Sequence, residues 1–147
     1  MYTNLLLATD GSKLSEKAVS HAIGIAARMG ARLNCLYVAP DYPDPMYMDG
    51  GGLGNGARGQ YEAAAAAAAR KILDEVATQA AAAGVALESH HTISSSPSES
   101  ILQAADKFKC DAIVMGSHGR SGVAALLLGS QTQKVLAHSR LPVIVAR

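Results

Sequence analysis

The sequence is short of cysteine, of net charge and of long apolar runs, and each shortage argues against a class of protein. Its 147 residues include 17% charged side chains and carry a net charge of +1, which gives no basic surface for nucleic acid or for an anionic membrane. Cys35 and Cys110 lie far apart without CxxC or Cys/His spacing, so we interpret them as buried side chains of a cytoplasmic protein. No apolar run approaches the ~20 residues that span a bilayer, so we expect no membrane anchor.

Five predicted strands alternate with helical patterns, which predicts one α/β domain. The predicted strands are residues 5–8, 33–39, 85–94, 112–115 and 142–146. The predicted helices between them are residues 13–29, 60–83, 97–108 and 130–139. Continuous apolar strands joined by helices are typical of a parallel sheet that is buried on both faces. We therefore predict a single-domain, open five-stranded parallel sheet with helices on both faces.

Capping residues and a histidine pair add local detail. We expect Ser12 to cap the first helix and Gly30 to end it in the left-handed conformation. The sequence SPSE at residues 96–99 fits a capping box with proline at the first helical position. His90 and His91 are adjacent on a predicted strand, so they point to opposite faces and cannot share a metal ion.

The first glycine stretch, residues 54–59, reads GNGARG and fits the G-x-G-x-x-G pattern of dinucleotide-binding loops. That pattern requires a preceding strand, and an acidic residue about twenty positions on at the end of the next strand. The preceding PDYPDPMYMDGGGL cannot form such a strand, and Asp74 and Glu75 fall within an alanine-rich helix. We therefore interpret residues 41–59 as a flexible loop rather than a phosphate site.

The second glycine stretch, residues 116–130, reads GSHGRSGVAALLLGS and follows a predicted buried strand. Gly116 and Gly119 allow the backbone to turn and to approach a ligand closely. Gly129 and Ser130 begin the last helix, whose unpaired N–H groups and positive dipole end favour an anion. The alternative is that the glycines only shape a turn and that Ser130 only caps the helix. The stretch alone leaves both interpretations open.

Three segments carry a family likeness: ATDGS at residues 8–12, the G-x2-G-x9-G-[ST] pattern of Gly116, Gly119, Gly129 and Ser130, and KVLAHSRLPVIVAR at residues 134–147. Together they resemble the universal stress proteins, in which the glycine pattern is the nucleotide motif. The likeness covers the chain apart from residues 41–59. Neither a GxxxxGK[ST] P-loop nor an SGGxDS loop is present.

The resemblance implies a Rossmann-like sheet of strand order 3-2-1-4-5, with a crevice between the carboxyl ends of strands one and four. In ATP-binding members, the residues equivalent to Asp10 and to the backbone of Val38 hold the adenine, while the glycine motif holds ribose and phosphates. The implied ligand is ATP, with Mg²⁺ held through the phosphates rather than by a metal site of the protein alone. The implied nucleotide-binding residues are Ala8, Thr9, Asp10, Val38, Met115, Gly116, Ser117, His118, Gly119, Arg120, Gly129, Ser130 and Gln131.

Some of these positions leave the function open. Arg120 is either a phosphate ligand or a solvated loop charge, and His118 has no nearby acid in the sequence to support general acid or base work. Many ATP-binding relatives have an apolar residue where this chain has Gln131. We expect a cytoplasmic ATP-binding regulator without catalytic residues. The alternatives are a slow ATPase or self-phosphorylating protein, using Ser121, Ser130 or His118, and an interaction protein that binds no nucleotide.

The last predicted strand lies at an edge of the implied sheet. Its residues Val143, Ile144 and Val145 are apolar and β-branched, and only Pro142 and Arg147 flank the run. Such an edge invites another strand, and in the family this strand commonly pairs. The resemblance therefore implies a homodimer through this strand. The alternative is a monomer with a solvated edge.

Overall fold

The computed structural model describes residues 1–42, 55–118 and 128–147. In chain order its elements are β1 (Asn4–Thr9), α1 (Lys13–Met29), β2 (Arg32–Ala39), α2 (Asn55–Ala82), β3 (Leu87–Ile93), α3 (Pro97–Lys107), β4 (Ala112–Gly116), α4 (Ser130–His138) and β5 (Val143–Ala146). Every predicted strand and helix is present, and the largest difference is the start of α2. Within these residues, no helix combines the length and the apolar character that crossing a membrane requires.

The five strands form one parallel sheet in the order β3-β2-β1-β4-β5, which confirms the predicted fold. Strand β1 is paired on both sides, because Leu5 lies opposite Leu33 of β2 and opposite Ala112 of β4. The chain leaves β1 toward β2 and leaves β4 toward β5, so the two connections run in opposite directions. A crevice therefore opens at the carboxyl ends of β1 and β4, which is where open α/β sheets bind their ligands.

Alternate residues of β1 fill a core on each face of the sheet. Leu5 and Leu7 pack with the apolar sides of α1 and α2, whereas Leu6 packs on the face covered by α3 and α4. All three are fully buried, and burial of one such side chain stabilises a fold by roughly 1.5–3 kcal/mol. Burial on both faces explains the continuous apolar run, since a strand covered on one face alone alternates with polar residues.

Helix α1 begins and ends as predicted. The Ser12 side chain accepts a hydrogen bond from Ser15 N at 3.3 Å. Gly30 follows the helix with a φ of 64°, a left-handed conformation that glycine adopts without steric cost. These two caps fix the length of the helix that covers β1.

Helix α2 begins at Asn55 rather than at Gln60. The interpretation of residues 55–59 as part of a loop is therefore wrong. The rest of that predicted loop, residues 43–54, includes Gly54 and lies outside the described residues.

Cooperativity explains this longer helix. Gly56 and Gly59 each disfavour a helix by roughly 1 kcal/mol relative to alanine. Once the alanine-rich body has formed, each further residue gains a backbone hydrogen bond without a new nucleation step. Arg58 also forms an ion pair with Glu62 one turn later, with Nε 3.2 Å from Oε1. An exposed ion pair of this kind adds little to the stability of the helix.

The start of α3 differs from the predicted capping box. Pro97 lies in the first turn as expected, but the Ser96 side chain makes no capping hydrogen bond. Instead, Ser98 N donates to Oε1 of Gln131 at 3.0 Å. A side chain from α4 thus caps α3, and a local pattern cannot reveal this because its partner is 33 positions away.

A chain of polar side chains crosses three strands near the amino end of β1. Asn4 Nδ2 donates to the carbonyl oxygens of Phe108 and Lys109, and Asn34 Nδ2 donates to Asn4 Oδ1 at 2.7 Å. His90 Nε2 lies 3.0 Å from Asn34 Oδ1, and since that oxygen can only accept, Nε2 carries the proton. The imidazole stacks on Phe108, and burial lowers the pKa of His90.

The two cysteines are free and buried. Burial raises the pKa of Cys35 to about 12 and that of Cys110 to about 11, so neither forms the reactive thiolate near neutral pH. Across the described ranges, no three histidine, cysteine or acidic side chains are grouped so that they could hold a metal ion. Both thiols therefore serve as small core side chains.

Candidate functional site

A cavity of about 760 Å³ opens at the carboxyl ends of β1 and β4. This volume lies within the ~300–1,000 Å³ that is typical of small-molecule sites. Its apolar lining comes from Ala8, Leu36, Val38, Ile101 and Met115. Polar groups surround this apolar floor, an arrangement that suits a ligand with one apolar and one charged end.

The turn after β1 places Asp10 beside the cavity. Asp10 Oδ1 accepts a hydrogen bond from Ser12 N at 2.9 Å, which holds the carboxylate at the N-terminus of α1, where the helix dipole favours negative charge. Thr9 Oγ1 lies 3.0 Å from Ser15 Oγ and accepts a bond from Gly11 N. The protein itself therefore sets the direction of the Asp10 carboxylate.

Two glycines allow the strand ends to pack closely against their neighbours. Gly11 has a φ of 74°, and a Cβ added there would lie 2.5 Å from the Cδ1 atom of Ile72 in α2. At Gly116, an added Cβ would lie 3.2 Å from the carbonyl oxygen of His118 and 3.5 Å from that of Leu14. Glycine is thus favoured at position 11 by its left-handed backbone and at position 116 by close contact with backbone atoms.

Hydrogen bonds connect the end of β4 to the start of α4. Gly129 N donates to the carbonyl oxygen of Ser117 at 2.7 Å, and the buried Thr132 hydroxyl donates to that of Gly116 at 3.0 Å. Ser117 N in turn donates to the carbonyl oxygen of Ala146 in β5. These bonds fix the N-terminus of α4 over the end of β4.

The first turn of α4 presents amides that are unpaired within the described part of the chain. Gly129 is the N-cap and no side chain caps this end, while the bond from Gln133 N to Gly129 O starts the helical ladder. The amides of Ser130, Gln131 and Thr132 therefore have no hydrogen-bond partner among the residues that the structure describes. Unpaired amides at the positive end of a helix dipole favour an anion.

His118 lies beside the cavity with one bonded ring nitrogen and one that has no partner among the described residues. Its Nδ1 lies 3.1 Å from Ser117 Oγ, whereas its Nε2 is buried and has no hydrogen-bond partner in the described part of the chain. Buried polar atoms nearly always have a partner in a folded protein. Because His118 lines the cavity, Nε2 is a candidate contact for a ligand.

Most of the residues implied by the resemblance lie together around this cavity. They are Ala8, Thr9, Asp10, Val38, Met115, Gly116, His118, Gly129, Ser130 and Gln131. Ser117 does not line it; its backbone bonds to Ala146 of β5 and to Gly129, and its hydroxyl bonds to His118. Gly119 and Arg120 lie outside the described residues.

Sequence reasoning missed a second wall of the cavity and part of its floor. The missed residues are Ser15, Leu36, Pro40, Asp41, Tyr42, Ser94, Ser95, Pro97, Ile101 and Thr132. Tyr61 of α2 supports this wall, since its hydroxyl donates to Pro40 O at 2.6 Å and its ring packs edge to face on Tyr42. The strand order carried a usable signal, because it places the end of β2 beside that of β1 and the end of β3 next to β2.

The family profile described as Universal stress protein family matches residues 1–147. This chain belongs to the universal stress protein family. A relative from Thermus aquaticus, the universal stress protein in the QAH/OAS sulfhydrylase 3′ region, is 35% identical over 148 residues, and the match covers 100% of both chains.

Solved structures of the family share the fold. Universal stress protein UspA from Lactobacillus plantarum is 28% identical with a TM-score of 0.84, over 99% of this chain and 98% of that one. A universal stress protein solved in complex with cAMP is also 28% identical, with a TM-score of 0.69 over 99% of this chain and 97% of that one. The comparisons thus confirm the resemblance and the Rossmann-like sheet.

Proposed function

We propose that this universal stress protein binds an adenine nucleotide, specifically ATP, as a regulatory ligand in the cavity at the carboxyl ends of β1 and β4. The observation that carries the proposal is the convergence in one cavity of an apolar floor, the Asp10 carboxylate and the uncapped start of α4. The relative solved with cAMP supports an adenine nucleotide as the ligand class. The nucleotide-bound state would act as the signal in a cytoplasmic stress response.

The phosphates would lie at the start of α4. The amides of Ser130, Gln131 and Thr132 and the Nε2 atom of His118 supply donors there. A hydrogen bond to a charged group contributes about 1.5–3 kcal/mol, so these bonds would supply part of the roughly −8 kcal/mol of micromolar binding, and burial of the adenine would supply the rest. Mg²⁺ would bind through the phosphate oxygens and would keep several of its water ligands, as it does in other nucleotide sites.

The adenine would lie on the apolar floor near Asp10 and Val38. A flat ring buries well between aliphatic side chains such as Ala8 and Met115. The Asp10 carboxylate is an acceptor and matches the exocyclic amino group of adenine. Guanine has a carbonyl oxygen at that position, so we expect ATP to bind more tightly than GTP.

Binding rather than turnover is the activity that the described residues support. Of the residues named for the ATPase or self-phosphorylating alternative, Ser130 and His118 line the cavity, and Ser121 lies outside the described residues. Phosphoryl transfer needs groups that stabilise its transition state. We expect phosphate release with Mg²⁺ and saturating ATP to fall far below the ~1–100 s⁻¹ of kinases. A rate in that range that is lost in His118→Ala would favour the ATPase alternative.

Calorimetry and analysis of the purified protein test the proposal. Protein purified from cells is denatured, and the supernatant is analysed by ion-exchange chromatography for a released adenine nucleotide. The stripped protein is then titrated with ATP, with GTP as the matched control. We expect one ATP per chain and weaker GTP binding. The proposed function would be contradicted if no adenine nucleotide gave a heat of binding at concentrations up to roughly 1 mM. A Kd of 1 mM corresponds to a binding free energy of about −4 kcal/mol.

We also propose that two copies pair through the outer edge of β5. Ile113 N donates to Pro142 O and Ser117 N donates to Ala146 O, so these carbonyl groups face β4. Backbone N–H and C=O groups alternate in direction along a strand. Those of Val143 and Val145 therefore point away from β4. Within the described ranges β5 pairs with β4 alone, and an unprotected edge of this kind favours a second strand.

A proline substitution at the outer edge tests this pairing. Val145→Pro removes an outward N–H group but spares the hydrogen bonds to β4, while Val145→Thr retains that N–H group and serves as the control. Light scattering coupled to size exclusion should give about twice 15.1 kDa for the wild type and the control, and a shift toward one chain for the proline variant. A wild-type mass of one chain at micromolar concentration would disprove the dimer.

A further inference from the structure

Gln131 lies between the N-termini of two helices that border the cavity. It occupies the first turn of α4, and its side chain reaches the first turn of α3, where Oε1 accepts a hydrogen bond from the buried Ser98 amide at 3.0 Å. Pro97 at the start of α3 and Ser130 at the start of α4 also line the cavity. Both helix starts are the positive end of a helix dipole. At the start of α4 the first amides are unpaired among the described residues, whereas at the start of α3 Pro97 has no N–H and Gln131 already occupies the Ser98 amide. Without Gln131, the Ser98 amide would be free to attract an anion.

The hydrogen bond from Ser98 fixes the orientation of the Gln131 amide. A backbone N–H can only donate, so the atom that faces it must be the oxygen Oε1. The Nε2 group is bonded to the same carbon atom, in the same amide plane, and faces away from the Ser98 amide. Within the described residues, no hydrogen bond has this Nε2 group as its donor. Gln131 thus adds a neutral donor to a cavity that it also lines.

We propose that Gln131 is a specificity-determining residue that directs the phosphates of the nucleotide to α4 instead of α3. Its oxygen occupies the Ser98 amide and so removes one donor from the start of α3. Its Nε2 group extends the donors at the start of α4, where the amides of Ser130 and Thr132 are unpaired among the described residues. The inference rests on the proposed function, because it assigns one end of the cavity to the phosphate groups.

Gln131→Glu separates the two roles of the side chain. A carboxylate still accepts the Ser98 hydrogen bond, and the N-terminus of α3 stabilises its charge, so the thermal midpoint should equal or exceed that of the wild type. The same carboxylate replaces the Nε2 donor with a negative oxygen near the phosphates. Gln131→Met is the second variant. It removes both roles at similar volume, leaves the Ser98 amide unpaired and should lower the midpoint.

The experiment titrates adenosine and ATP into the wild type and both variants and records thermal midpoints in parallel. We expect Gln131→Glu to weaken ATP binding by about 10-fold or more through like-charge repulsion, and to change the affinity for adenosine, which has no phosphate, by a much smaller factor. Equal ATP affinity for Gln131→Glu and the wild type, with the midpoint retained, would overturn the inference but leave the proposed function intact. A wild type that binds neither ligand would overturn both.

Discussion

The two glycine stretches place the same residue type in opposite surroundings. In the first stretch, Gly56 and Gly59 are exposed on the first turns of α2, and a Cβ added to either would meet no atom within 4 Å. In the second stretch, Gly116 ends a fully buried strand and packs against α1, and Gly129 caps α4 at the edge of the cavity. The difference lies in the elements that precede and follow each stretch rather than in the glycines themselves.

This difference shows why a letter-for-letter motif is weaker than its structural context. GNGARG fits a dinucleotide fingerprint, yet from residue 55 onward it is the beginning of an alanine-rich helix. The second stretch has wider spacing but connects the end of a parallel strand to the start of a helix. That connection is the feature that phosphate binding uses.

The largest expected effect is on ATP binding at the second stretch. Gly129→Val places a branched side chain at the N-cap and should block phosphate approach to the α4 amides. The loss of two charge-assisted hydrogen bonds at about 1.5–3 kcal/mol each predicts a decrease in affinity of roughly 100-fold or more by calorimetry. Gly59→Val in the first stretch is the matched control and should leave affinity unchanged. Loss of ATP affinity in Gly59→Val, with affinity unchanged in Gly129→Val, would contradict the assignment of the phosphates to the second stretch.

The next effect is on stability at the end of β4. Gly116→Ala puts a Cβ 3.2 Å from the carbonyl oxygen of His118, so the loop or α1 must move to accommodate it. Overpacking of this kind costs about 1–3 kcal/mol, which urea unfolding would detect as a lower midpoint. An unchanged midpoint would show that the strand end has more room than the structure gives it.

The corresponding change in the first stretch should have the opposite sign. Gly59→Ala replaces an exposed glycine in a helix, and the added Cβ meets nothing within 4 Å. The free energy of unfolding should rise by about 0.5–1 kcal/mol, with ATP affinity unchanged. A decrease in stability would argue that this segment is not helical in solution.

The smallest expected effect arises outside both stretches, at His90. Burial lowers its pKa from the usual 6.5, Lys107 lowers it further, and Glu88 opposes the shift. Below pH 6.5 the unfolded chain binds the proton first, so stability should fall as the pH drops from 6.5 through the lower folded pKa. His90→Gln retains a donor for Asn34 and should flatten this part of the urea midpoint profile. If His90→Gln and the wild type gave the same pH profile, His90 would be excluded as the cause of the loss of stability at low pH.

The sequence predicted the elements that depend on local pattern and missed contacts between distant segments. The leucine run of β1 and the caps Ser12 and Gly30 follow directly from burial and backbone conformation. The strand order came from the family resemblance, since apolar patterning does not distinguish one neighbour from another. The wall containing Tyr42, and the cap that Gln131 provides for α3, depend on contacts between residues far apart in the chain, which no local motif records.

The most direct test of the central claim is an amide chemical-shift titration of the ¹⁵N-labelled protein with ATP, which its mass of 15.1 kDa readily permits. We expect the largest shifts at Ser130, Gln131 and Thr132, where the unpaired amides would meet the phosphates, with Gly56 and Gly59 unmoved. Saturable shifts at Gly56 and Gly59, with the amides at the start of α4 unchanged, would contradict the assignment of the nucleotide to the second glycine stretch.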